Sequence, residues 1–224
     1  MDSFPRPLLR LSTLCLAATG LFGMTWCLLD GTARASNPEQ VEAARQRLPK
    51  DEAFATKLAH AALDRTKQRV QYLADYVSIP YPNGDVPAET GVCTDEIVRA
   101  YRALGLDLQK LVHEDMKKNF SAYPKKWGLS RPDTNIDHRR VPNLQTFFKR
   151  KGTSLPVTDK PEDYLPGDLI TCTVPPNLPH IALVVPAPDG GPRPWIVHNI
   201  GGGPQHEDRL FEFPLTGHYR WDGK

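Results

Sequence analysis

The chain has 224 residues, 40% apolar and 24% charged, which excludes an intrinsically disordered chain and fits one globular domain with an appendage. Lys and Arg number 28 against 26 Asp and Glu, so the net charge of +2 excludes a polybasic nucleic-acid binder. The 22 prolines, about twice ordinary usage, predict many turns and long loops.

The N-terminus reads as a cleaved export signal, with an uncleaved anchor as the alternative, since a run of 19 residues is barely long enough to span a bilayer. Arg6 and Arg10 precede an uncharged apolar run from Leu11 to Leu29, which Asp30 ends. Ala33-Arg34-Ala35 supplies the small-x-small pattern of a cleavage site, with Ser36 as the expected first mature residue. Cleavage of residues 1–35 would leave 189 residues with a net charge of +1, no stable membrane span and a periplasmic or secreted location. Cys15 and Cys27 would leave with the signal, so only Cys93 and Cys172 would remain.

Residues 36–70 are expected to form a helical segment. Asn37 caps a polar helix to Arg47, with Pro38 at its first position, and Glu52 to Arg65 carries an apolar stripe. Tyr72 to Gly84 breaks the helical period with turn chemistry. A helix then opens at Cys93 and runs to Leu104, where Gly105 stops it. Leu108 to Phe120 and Pro142 to Lys151 have helical spacing, with loop-like sequence from Trp127 to His138 between them. From Leu165 the period switches. Leu169 to Val174, His180 to Val185, Trp195 to Ile200, Arg209 to Phe213 and Thr216 to Trp221 are short β-rich runs. Helices followed by an antiparallel meander predict an α+β fold, with residues 71–224 as the main domain.

Cys93 stands where a glycine-containing loop enters a helix, a position whose partial positive charge favours a thiolate. Asp95 and Glu96 in the same first turn oppose it. His180 and His198 lie on consecutive strands joined by a Pro/Gly loop, which makes a Cys-His-His arrangement available. Gly201-Gly202-Gly203 reads as a turn beside that pair, and Asp168 as a turn residue. Asp137, Arg139 and Arg140 are candidates for binding substrate carboxylates, because arginine pairs clamp carboxylates bidentately. The competing reading pairs Asp137 with an arginine to fix the loop's shape.

The order of Gly91-Val92-Cys93-Thr94, Leu165-Pro166-Gly167-Asp168, His180-Ile181-Ala182-Leu183-Val184 and Ile196-Val197-His198-Asn199 resembles the NlpC-type cell-wall cysteine peptidases, a branch of the papain-like fold. The segments GVCTD, NIDHRRVPNL, PHIALV, IVHNIGGG and TGHYR more narrowly resemble an uncharacterised bacterial domain family of that superfamily, over roughly residues 70 to 222. The resemblance implies a papain-like fold with Cys93 as nucleophile, His180 as base and His198 orienting His180. It also implies Tyr81 as the site tyrosine and a peptidoglycan stem peptide as substrate, with no cofactor and no metal. The chain departs from the broader family in Val92 before the cysteine, in Thr94-Asp95 after it, and in the 18 residues separating the histidines. Rival readings are a zinc site using Cys93, His180 and His198, a wall-binding module held by a Cys93–Cys172 disulfide, and an acyltransferase on the same fold.

Overall fold

A computed structural model describes residues 36–224. The expected export signal and its two cysteines lie outside the described residues. Five α-helices precede the main sheet: α1 (Pro38–Arg47), α2 (Phe54–Arg65), α3 (Cys93–Ala103), α4 (Leu108–Lys118) and α5 (Val141–Lys151). Two short parallel strands, β1 (Gln71–Tyr72) and β2 (Thr90–Gly91), bring the stretch after α2 alongside the approach to α3. The main sheet holds β3 (Thr153–Leu155), β4 (Leu169–Val174), β5 (Leu178–Val185), β6 (Trp195–Asn199), β7 (Pro204–Glu207) and β8 (Leu215–Arg220). All its pairings are antiparallel, in the order β3-β8-β4-β5-β6-β7. The α+β class therefore holds.

The helices cover one face of the sheet. The alternation along β5 sends Ile181, Leu183 and Val185 into the helical core, with Leu58 and Leu63 of α2, Ile97 and Tyr101 of α3, and Phe147 and Phe148 of α5. Burying each such side chain contributes about 1.5–3 kcal/mol. Residues 36–70 join this same core through Val41, Ala44 and α2. The opposite face of the sheet buries Ala182 and Val184 with Tyr164, Ile170, Ile196 and Leu210 in a smaller cluster.

Two details position the site. The α3 helix is closed at its far end as the sequence predicts: Gly105 takes φ 82°, and its N–H and that of Leu106 satisfy the carbonyls of Arg102 and Tyr101. At the other end of the sheet the strand expected over Arg209 to Phe213 does not form. That stretch is a turn, with the Glu212 N–H donating to the Arg209 carbonyl. The strand is β7, a few residues earlier. Gly201 at φ 129° and Gly203 at φ 83° turn the chain sharply enough for β7 to return along β6.

Candidate active site

Cys93 is the first residue of α3. The helix start is fixed by Asp95, whose carboxylate accepts from the Val92 N–H at 2.7 Å. Arg139 holds that carboxylate from outside the helix through a bidentate pair at 2.8 and 3.1 Å, with both side chains buried. Arg139 also donates to the Asp75 carbonyl, and its own carbonyl accepts from the Thr94 hydroxyl. The residue thus ties three segments to the first turn of α3.

Cys93 is buried in the core between the helices and the sheet. Strands β5 and β6 pair only from Leu183 to Val185 and separate before that point. The backbone amides of Ile181 and Thr94 face the Cys93 sulfur and favour its thiolate. Ile181 is the residue after His180, and His180 is the cross-strand partner of Cys172. His180 and His198 are joined by a 2.8 Å hydrogen bond between Nε2 of the first and Nδ1 of the second. His198 Nε2 in turn meets the Glu207 carboxylate at 2.9 Å. The resulting line runs across β5, β6 and β7, and both imidazoles are buried.

Burial sets the protonation of these groups. It pushes the Cys93 thiol up to about 12, aided by the charges of Asp95 and Cys172 and opposed by the two amides. Burial and then His198 push His180 down to about 3. The cysteine therefore rests as a thiol and His180 as a neutral imidazole, not as the thiolate that a helix start alone would favour.

The other residues singled out in the sequence fall into different roles. Tyr81 stacks edge-on against His113 of α4, with ring centroids 5.0 Å apart, on an exposed turn. The tyrosine whose hydroxyl stands near Cys93 is Tyr72 on β1. Burial of that hydroxyl, and the nearby Cys93 and Asp95, push its phenol well up. Tyr72 reaches the site because it pairs with Gly91, two residues before the cysteine. A two-residue strand leaves no periodic signal, so nothing in the sequence marked this tyrosine.

The expected carboxylate-binding role of Arg139 is corrected, since its guanidinium is buried and engaged by Asp95 and Asp75. Asp137 is corrected likewise: it is buried and accepts from the Asp133 N–H at 2.6 Å and from Arg140 at 3.1 Å. Arg140 lies 4.1 Å over the ring of Trp127 while it pairs with Asp137. The Asp137–Arg140 pair is the arrangement that the competing reading describes. Asp168 is more than a turn residue, because it is buried and binds His218 and Arg220.

Cys93 and Cys172 are both free, so the disulfide weighed for them is absent. Burial raises the Cys172 thiol to about 11. Among the described residues no group of three or more His, Cys, Asp or Glu is arranged to hold a metal ion, and no helix is long and apolar enough to cross a membrane. A cleft of about 470 Å³ lies between α5 and strands β4 and β8. Lys126, Gln145, Lys149, Cys172, Thr173 and Pro179 line it, so it borders the residues flanking and facing His180.

Residues 59–221 match the family described as "Domain of unknown function (DUF1287)". The chain belongs to that family. The match opens within α2 and takes in every residue of the Cys93–His180–His198–Glu207 arrangement. A protein of Escherichia coli (strain K12) described as "Uncharacterized protein YijF" is 48% identical over 167 residues, 73% of this chain and 80% of that protein. Among solved structures, NlpC2 from Trichomonas vaginalis is similar with a TM-score of 0.40 and 13% identity, over 77% of this chain. This chain spans about half, 48%, of the length of that structure's chain.

Proposed function

We propose that this DUF1287 protein is an exported, papain-like cysteine hydrolase that cleaves an amide bond in peptidoglycan stem peptides. The observation that carries the reading is a cysteine sulfur held at a helix start against the Ile181 amide, one residue from a histidine already oriented by a second histidine.

The chemistry follows from those groups. His180 takes the proton of the Cys93 thiol, and the sulfur attacks the amide carbonyl carbon. The hydroxyl of Tyr72 and the Ile181 and Thr94 amides stabilise the charge that forms on sulfur. Backbone N–H groups of the first turn of α3 are suited to the tetrahedral oxyanion. The imidazolium of His180 gives its proton to the leaving amine, which departs and leaves a thioester. His180 then removes a proton from water, whose oxygen attacks the thioester and releases the acid and the thiol. The cleft of about 470 Å³ beside Cys172 and Pro179 is the candidate seat for the peptide. Its Lys126 and Lys149 suit a substrate that carries free carboxylates.

The deciding experiment is mass spectrometry of purified muropeptides incubated with wild type and with Cys93→Ala. Loss of products in the variant supports hydrolysis at Cys93. Equal products from both proteins would remove the cysteine-hydrolase reading. Product masses that carry an added amine in place of water would assign acyl transfer instead. Detection of a mature N-terminus at Ser36 in exported protein tests the location.

A further inference from the structure

The line of hydrogen bonds that ends at the two histidines does not stop there, and its last member decides which nitrogens carry protons. Glu207 Oε2 lies 2.9 Å from His198 Nε2. A carboxylate only accepts, so His198 Nε2 must donate. In a neutral His198 the other nitrogen, Nδ1, is then an acceptor. His180 Nε2, 2.8 Å away, must therefore donate to it. In a neutral His180 this leaves Nδ1 with a lone pair, the form a base needs to take the proton of Cys93.

We infer that Glu207 is a positioning residue that fixes the tautomers of both histidines and so presents His180 as a base. The inference rests on the cysteine-hydrolase reading above, which assigns that role to His180. Neither histidine alone specifies its tautomer, because each ring could donate through either nitrogen. A terminal carboxylate removes the ambiguity for both rings at once.

The surroundings hold Glu207 in place. It ends β7, opposite Ile196 of β6, while the preceding residues pair through His206 and Gln205 with Val197 and His198. The Arg209 guanidinium approaches the same Oε2 at 3.3 Å and also bridges Glu212. The His206 N–H donates to the Ser36 hydroxyl, and the His206 ring tilts against Trp195 at 4.8 Å. The segment preceding α1 thus secures the strand that carries the carboxylate.

The test uses the intact protein and two variants, Glu207→Gln and Glu207→Ala. Glutamine keeps the shape, but its amide can donate as well as accept. Imidazole nitrogen NMR reads the tautomers directly. Wild type is expected to show His180 Nδ1 and His198 Nδ1 as unprotonated nitrogens. Both variants are expected to show mixed or reversed tautomers at His180. Muropeptide hydrolysis should fall in kcat by about 10- to 100-fold, the loss seen when a partner that orients a reactive ligand is removed, with KM little changed. Wild-type tautomers and wild-type kcat in both variants would overturn the inference, even where Cys93→Ala is inactive. If Cys93→Ala instead retains full hydrolysis, the proposed function fails, and the NMR result still decides whether Glu207 sets the tautomers.

Discussion

Two buried histidines in the same sheet have opposite surroundings. His218 on β8 meets the Pro156 carbonyl at 3.2 Å through Nδ1 and the Asp168 carboxylate at 2.8 Å through Nε2. Arg220 closes on the same carboxylate at 2.6 and 2.8 Å, and the Tyr164 ring stacks on the imidazole at 4.3 Å. Both nitrogens of His218 are thus engaged, and the cluster joins β4, β8 and the loop before β4. His180 on β5 is bonded through Nε2 to another imidazole and leaves Nδ1 for chemistry. Burial and hydrogen bonding are common to both. What separates a scaffold histidine from a reactive one here is a nitrogen left open and a partner that is itself an orientable imidazole.

The contrast is sharpest in two deletions. Cys93→Ala is expected to lower muropeptide hydrolysis by about ten-thousandfold or more, as loss of a triad member does, with the folded structure retained by circular dichroism. Asp168→Ala should do the reverse. It leaves His218 buried without its carboxylate and Arg220 without its partner, and should cost about 1–3 kcal/mol in urea unfolding, with residual activity in proportion to the folded fraction. A catalytic defect in Asp168→Ala beyond its folded fraction would break the division between the two regions.

Asp95→Ala tests where the two roles meet. It strips the cap from Val92 and leaves Arg139 buried without its partner, so a loss of a similar few kcal/mol is expected. The Cys93 thiol should become more acidic, because a nearby negative charge has been removed. Alkylation of Cys93 by iodoacetamide as a function of pH measures this.

Acid should unsettle the neutral histidines. Burial lowers His180 to about 3 and His138 and His206 to about 4, from an ordinary 6.5. Above pH 6.5 they are neutral in both folded and unfolded chains and add no pH dependence. As pH falls from 6.5 toward 4 the unfolded chain binds protons that the folded chain refuses. Stability is therefore lost by up to about 1.4 kcal/mol per pH unit for each such proton. His138→Gln should flatten that slope by about one proton in urea titrations at several pH values. The smallest expected effect is that of Tyr72→Phe. Loss of one hydroxyl donor to the sulfur should lower kcat by about tenfold, whereas Tyr81→Phe should leave it unchanged.

Much of the fold was legible because local rules governed it. Five helices announced themselves through apolar spacing, through Pro38 and Asn37 at one start, and through Gly105 at one end. Strands β4, β5 and β6 did so through β-rich runs between Pro and Gly turns. What failed was pairing without periodicity. Strands β1 and β2 are two residues each, and β7, Pro204–Glu207, is polar because it is an edge strand. Those are the strands that carry Tyr72 and Glu207, so the two functional candidates the sequence missed share one cause.

The sequence by itself determined the α+β class, the helix that begins at Cys93 and the placement of His180 and His198 on neighbouring strands. Each depends on residues close together in the chain. Tertiary structure decided which side chains meet. It set Tyr72 and not Tyr81 against the sulfur, engaged Arg139 with Asp95, kept Cys93 and Cys172 apart as free thiols, and ended the histidine line on Glu207. Hydrogen bonds between strands distant in sequence depend on register and on where a ladder opens. The His180–His198–Glu207 line, which crosses β5, β6 and β7, is such a feature, and it exists only once the sheet has formed.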